Sequence, residues 1–156
     1  MRRLSGGFTL VELLVAMALI AILAAIGVPA YQNIVTSNRI TTEINGLVTH
    51  LQFARAEAVK RGQNVTVTSN NGNNWEGGWV VADANNNALK TQQAFQGGDT
   101  LTATLGAITY DRNGFTTNAT TLTLHDQANT VAYRKCVVVS AVGQLTLNKQ
   151  GATGCL

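Results

Sequence analysis

Charge is scarce in this sequence: Asp, Glu, Lys and Arg make up 12% of its 156 residues. Its formal net charge of +3 is too small an excess to argue for a nucleic-acid partner by itself. Signatures of catalysis are missing as well. There is no phosphate-binding glycine loop and no nucleophile elbow. The two histidines, His50 and His125, stand apart from any cysteine or carboxylate pattern with metal-ligand spacing. C-x-x-C spacing, the mark of a dithiol redox motif, is absent, and no fixed-period repeat is visible. These gaps argue against an enzyme and leave no cofactor or metal to expect. Proline occurs once, at Pro29. The length allows one anchor and one modest domain, not two sizeable cores.

What the chain does have is a long apolar run near its start. Phe8 to Val28 is 21 residues, apolar apart from Thr9 and Glu12. About 20 such residues suffice for a helix to cross a hydrocarbon core. A short leader with Arg2 and Arg3 precedes the run, and positive charge of this kind stays on the cytoplasmic side. An ordinary secretory signal is cut after its apolar region at a small-residue site. Here the small residues Gly6 and Gly7 come before it, so cleavage at Gly7/Phe8 would leave the helix on the protein. Glu12 is the costly residue. A carboxylate within a membrane helix costs roughly 2.5–3.5 kcal/mol on insertion scales, which makes it a functional candidate once a partner can be named.

Met1-Arg2-Arg3-Leu4-Ser5-Gly6-Gly7 followed by Phe8-Thr9-Leu10-Val11-Glu12 resembles the class III signal of type IV pilins and pseudopilins. The resemblance implies cleavage between Gly7 and Phe8 by the membrane-embedded prepilin peptidase, then N-methylation of Phe8. It also supplies the partner for Glu12, the new α-amine of Phe8 on the same or a neighbouring subunit. Such pairing would favour correct register during polymerisation. Small residues at Ala16, Ala18, Ala21, Ala24 and Ala25 would let stems approach closely in a filament core. Removing the leader takes away Arg2 and Arg3, so nine basic side chains face eight acidic ones and the net is +1. The rest of the chain would then lie outside the inner membrane, where disulfides persist. Cys136 and Cys155, with 18 residues between them, are expected to form a structural bridge, and a loop of that size is worth about 3 kcal/mol in the chain-entropy model.

The helical pattern runs past the membrane, from about Thr9 to Arg61. Pro29, where such pilins commonly carry a kinking proline, is expected to bend or locally melt it. Beyond it, Ile40, Ile44, Leu47, Val48, Leu51, Ala54, Ala58 and Val59 form an apolar stripe, with Arg39, Glu43, Gln52, Arg55 and Lys60 on other faces. Gly62 after Lys60-Arg61 reads as a C-cap. From Asn64 the period becomes two. Strands are expected near 64–69, 78–83, 101–105, 120–125, 131–140 and 143–148, separated by Asn- and Gly-rich turns. The expected class is α+β, a long N-terminal helix on an antiparallel sheet of six to eight strands. The segments are a leader (1–7), a membrane and filament-core helix (8–28), an amphipathic helix half (29–62) and a β-rich domain (63–156).

Trp75-Glu76-Gly77-Gly78-Trp79-Val80-Val81-Ala82-Asp83-Ala84-Asn85 resembles the W-x-x-G-W-hydrophobic-x-x-D-x-N signature of GspH/FimT/FimU-type pseudopilins and minor pilins. Ile108 to Gly114 fits that family's next strand and turn, and Cys136 to Ser140 with Gly143 its closing hairpin. Trp75 and Trp79 are expected as core and loop anchors rather than ligand platforms. The resemblance implies a structural subunit that helps initiate or cap a type IV pilus, or serves as pseudopilin H of a type II secretion system. Its partners would be other minor and major pilins, the peptidase, the inner-membrane assembly platform and membrane lipid. A DNA-binding minor pilin for natural transformation is the alternative. The G-x-x-x positions at which such proteins carry two arginines read Gly143-Gln144-Leu145-Thr146 here, so only Arg134, Lys135 and Lys149 remain as a small basic patch for weak contact.

Overall fold

A computed structural model describes residues 8–149. The chain divides into two compact units, one ending at Thr36 and one beginning at Ser37. The expected partner of Cys136, Cys155, lies outside the described residues, as does Gly7.

Helix α1 spans Leu10–Arg61 and continues through Pro29 without a break in its assignment. Its C-terminus is closed as expected. Gly62 takes a left-handed φ of 63°, and Gln63 N–H donates to the Ala58 carbonyl at 3.3 Å while Gly62 N–H donates to that of Val59 at 3.4 Å. That six-to-one, five-to-two pair is a Schellman cap, a turn that glycine enters at no steric cost.

In the second unit α1 buries Ile40, Ile44, Leu47, Leu51, Ala54 and Ala58 completely. Val48 is only half-buried and Val59 is 52% exposed. The full eight-residue stripe is thus wider than the contact face. The buried face packs on one antiparallel sheet of eight strands among the described residues. These are β1 (Val65–Asn71), β2 (Asn74–Asp83), β3 (Ala88–Gln92), β4 (Thr100–Ala103), β5 (Ala107–Tyr110), β6 (Thr120–His125), β7 (Lys135–Val139) and β8 (Leu145–Lys149). The order is β5-β1-β2-β4-β6-β7-β8, and β3 shares the far edge of β2 with β4. One edge of β2 therefore pairs with β4 at Asn74 and with β3 from Trp79 to Ala82.

Alternation sorts the side chains. Val65, Val67, Val81, Leu101, Leu122, Leu124, Val137 and Val139 enter the core with the helix stripe. Intervening threonines face away, and Thr66 and Thr109 join across β1 and β5 through their hydroxyls at 2.9 Å. Cys136 alternates out of phase with Val137 and Val139, yet is fully buried.

Two elements depart from expectation. β3, with sequence ALKTQ, carries little β-branched or aromatic signal and forms by pairing with β2. The expected strand over 131–140 shrinks to Lys135–Val139, and Val131–Tyr133 is a 3-10 turn. The cause is Asp126, whose carboxylate accepts bonds from Thr130 N–H at 2.5 Å and Thr130 Oγ1 at 2.8 Å. Asn129 meanwhile takes a φ of 53°. This closed Asx loop occupies the backbone before it can pair.

Candidate assembly surface

Among its described residues the first unit offers an apolar helical surface with a carboxylate in its first turn. Its most apolar 18-residue window has a mean hydropathy of 2.7 and no buried residue, so the helix is long and apolar enough to cross a membrane. Phe8 is 80% exposed, and the large side chains from Leu10 to Ile34 are exposed with it. Glu12 lies in the first helical turn, and its N–H donates to Thr9 Oγ1 at 3.2 Å. Thr9-x-x-Glu12 is therefore a capping-box spacing, and an acidic group here complements the helix dipole. Sequence reading for a charge partner missed this local role, although the T-x-x-E pattern was there to be read. Thr9 thus caps the helix, with the acidic Glu12 in its first turn.

The Trp-Gly-Trp stretch is structural, as expected. Trp75 and Trp79 are both fully buried. Trp75 Nε1–H donates to the Leu105 carbonyl at 2.9 Å, and Trp79 Nε1–H donates to His50 Nδ1 at 2.9 Å. The His50 and Trp79 rings meet edge to face at 5.7 Å, and Phe95 abuts the other side of Trp79 at 6.0 Å. Gly78 precedes Trp79 with a φ of 87°, and a Cβ there would overlap the Gln92 carbonyl oxygen. Glycine at this point is what lets β3 lie against β2.

His50 accepts from Trp79, so its Nδ1 carries no proton in the fold. Burial lowers its pKa below 6.5, and the charge of Lys90 lowers it further. The unfolded chain therefore binds a proton near pH 6.5 that the fold resists. The stability linked to His50 is complete above that pH and drains as pH falls. We expect the denaturant midpoint of a His50→Gln variant to gain on that of the parent as pH falls from 7 to 5, since only the parent loses the His50-linked stability.

Arg55 binds the end of α1 to two turns. Its Nε donates to the Gly114 carbonyl at 3.0 Å and its Nη2 to the Val142 carbonyl at 3.1 Å. The first turn is built by Asp111, whose Oδ1 accepts from Asn113 N–H at 2.8 Å and Phe115 N–H at 2.9 Å. Those two bonds hold the Asp111 carboxyl below the usual carboxylate range, with the Phe115 bond the larger cause. The second turn has Gly143 at a φ of 72°. Sequence reading placed Arg55 only on a polar helix face, because nothing local announces an arginine whose acceptors lie 59 and 87 residues away.

The basic patch is engaged within the fold. Arg134 Nη2 donates to Asn129 Oδ1 at 2.6 Å and Lys135 Nζ to Thr41 Oγ1 at 2.6 Å. The backbone of Lys149 pairs with Lys135. His125 sits half-buried at the end of β6, its Nδ1 2.9 Å from the Asp126 carbonyl. Among the described residues no group of His, Cys, Asp and Glu is arranged to hold a metal ion.

Comparison with known proteins places this architecture. The minor pilin FimU of Pseudomonas aeruginosa PAO1 superposes with a TM-score of 0.67 at 18% identity, over 76% of this chain and 96% of that one. The minor pseudopilin EpsH of the Vibrio cholerae type 2 secretion system gives 0.59 at 16% identity, over 73% and 99%. A prokaryotic N-terminal methylation motif matches residues 2–28. Escherichia coli K12 prepilin peptidase-dependent protein D is 41% identical over 56 residues, and Dichelobacter nodosus type IV major fimbrial protein FimA 46% over 41. These matches span only 38% and 26% of the respective relatives. Methylation motif, apolar stem and helix-on-sheet fold together define a type IV pilin-like protein. The profile of the type II transport protein GspH matches residues 43–143, and the chain belongs to the GspH family.

Proposed function

We propose that this chain is a structural, non-catalytic subunit of low abundance that helps initiate or cap a type IV pilus or a type II secretion pseudopilus. The observation that carries this reading is the exposed apolar stem with Glu12 in its first turn, joined to a GspH-family domain. Residues 1–7 serve as a leader, cut between Gly7 and Phe8 by prepilin peptidase, and Phe8 is then N-methylated. Residues 8–28 cross the inner membrane and later enter the filament core. Residues 29–62 form the outer helix half, with Pro29 as a point of bending, and residues 63–156 form a periplasmic β-rich domain. That domain meets other minor and major pilins at the assembly platform, and a Cys136–Cys155 bridge pins its C-terminus.

Pairing of Glu12 with the Phe8 amine of a neighbour offsets the cost of burying its charge only when subunits are in register. Glu12→Ala removes that selection while leaving the cleavage junction intact. The variant leaves the neighbour's Phe8 ammonium without its counter-charge, and since 1.4 kcal/mol is a factor of ten in an equilibrium and an unpaired intramembrane charge costs more than that, surface filaments or secreted substrate should fall by roughly tenfold or more. Immunoblots should still show the leader removed. A normal filament count with normal processing would overturn the role of Glu12. The DNA-binding alternative gains no support from Arg134 and Lys135, whose hydrogen bonds are made within the domain.

A further inference from the structure

Within the unit that begins at Ser37, the segment from Gln92 to Asp99 lies as a strap against α1. Asp99 is 2% exposed, and its carboxylate receives two bonds from one guanidinium, Arg39 Nε at 2.5 Å and Arg39 Nη2 at 2.6 Å. The backbone follows closely, since a Cβ at Gly97 would stand 2.5 Å from Arg39 Nε. Phe95 anchors the middle of the strap, through its ring on Trp79 and its N–H on the Glu76 carbonyl at 2.9 Å. Between strap and helix runs a groove of about 500 Å³ whose walls include Arg39, Thr42, Glu43, Gly46, Phe95 and Gly97.

Glu43 follows Arg39 by one helical turn and lines the same groove. Its Oε2 is buried and accepts no hydrogen bond, and Arg39, one turn earlier, holds the Asp99 carboxylate against this stretch of α1, where its charge acts on Glu43. A buried carboxylate oxygen without a donor is costly, and a like charge next to it adds repulsion. One proton removes both costs. Protonated Oε2 becomes a donor, and Asp99, which has acceptor capacity beyond its two bonds to Arg39, becomes the acceptor. We propose that a proton held between Glu43 and Asp99 fastens the Gln92–Asp99 strap onto α1, and that losing it loosens the strap and widens the groove.

The charged groups around this clasp come from four elements. Arg39 shares α1 with Glu43, Asp99 ends the strap, Asp126 follows β6 and acts on Arg39, and Lys135 of β7 reaches Thr41 on α1. Asp99 and Arg39 act on Glu43 directly, with opposite signs. Burial is the largest influence and, with Asp99, pushes the Glu43 carboxyl up to about 7. The fold therefore holds a proton that the unfolded chain releases near the ordinary carboxyl range. As pH rises from that range through about 7, the folded state loses this advantage. The clasp is closed in mildly acidic surroundings and open in mildly alkaline ones.

The test uses the full chain in detergent micelles, labelled with ¹³C at glutamate carboxyls and ¹⁵N at glycine, and titrated by NMR. Glu43 should titrate near pH 7, and the Gly97 and Gly98 amides should shift with the same midpoint. In Glu43→Gln, which keeps a donor and has no charge to release, the glycine shifts should vanish. At pH 8 the strap amides of this variant should exchange more slowly than those of the parent, after correction for intrinsic rates. A Glu43 midpoint in the ordinary carboxylate range, static glycine amides, or the same glycine transition in the Gln variant would each overturn the clasp.

Discussion

Trp79→Ala should be among the most damaging single substitutions in the β-domain, lowering its stability by about 3–5 kcal/mol, the range for deleting a buried tryptophan. Trp79 is fully buried and stands between Trp75, whose ring centre is 6.1 Å away, Phe95 and His50. Its loss opens a cavity bounded by rings that cannot all shift to fill it. It also strips His50 Nδ1 of its donor, and a buried acceptor left unmet costs about 1–3 kcal/mol. Trp79→Phe separates the two contributions, because it keeps an aromatic ring and removes the N–H. Denaturant unfolding of the full chain in micelles, followed by the fluorescence of Trp75, should rank the proteins as parent, Phe variant, Ala variant. A loss below about 1 kcal/mol for the alanine variant, smaller than a typical core truncation, would show that Trp79 is not the keystone of the helix–sheet contact.

Gly143→Ala should cost nearly as much by the opposite route, adding one atom instead of removing many. At a φ of 72° a residue with a side chain is strained, and the new Cβ would overlap the Gly114 carbonyl oxygen with Arg55 Nε 3.0 Å away. The obstacle is backbone, so relief requires one turn to move and the Gly114 carbonyl to leave Arg55. Left-handed strain of about 1–3 kcal/mol adds to a steric cost of similar size, for a total of roughly 2–6 kcal/mol. Arg55→Lys should cost less, since one ammonium can still reach one of the two carbonyls but cannot span both. Unfolding midpoints of the two variants check the order. If Gly143→Ala unfolds with the parent, the two turns are not in close contact.

The apolar run and the α1 stripe were legible because each rests on local periodicity or composition. The strands rich in Val, Thr and Leu were legible for the same reason. β3 was not, because its sequence is strand-neutral and its conformation comes from β2 alongside it. The start of β7 was misjudged because Asp126 closes a loop that competes with pairing, a hydrogen-bond preference invisible to apolar alternation. The Trp-Gly-Trp signature identified the branch and the structural role of both tryptophans. It did not reveal that His50, on α1, is the acceptor for Trp79. Glu43 shows the limit most clearly. On the helix it reads as one more solvated acid, and only the return of the strap 56 residues later puts Asp99 beside it.

The bonds from Arg55 both end on main-chain oxygens, those of Gly114 and Val142. A grip on the backbone is blind to the side chains the two turns display. Provided the glycines at 114 and 143 are kept, Arg112, Val142 and Gln144 can be exchanged without undoing the attachment. The fold thus carries a fixed socket for replaceable tips. Related subunits could diverge in what they present at these turns while inheriting the same scaffold.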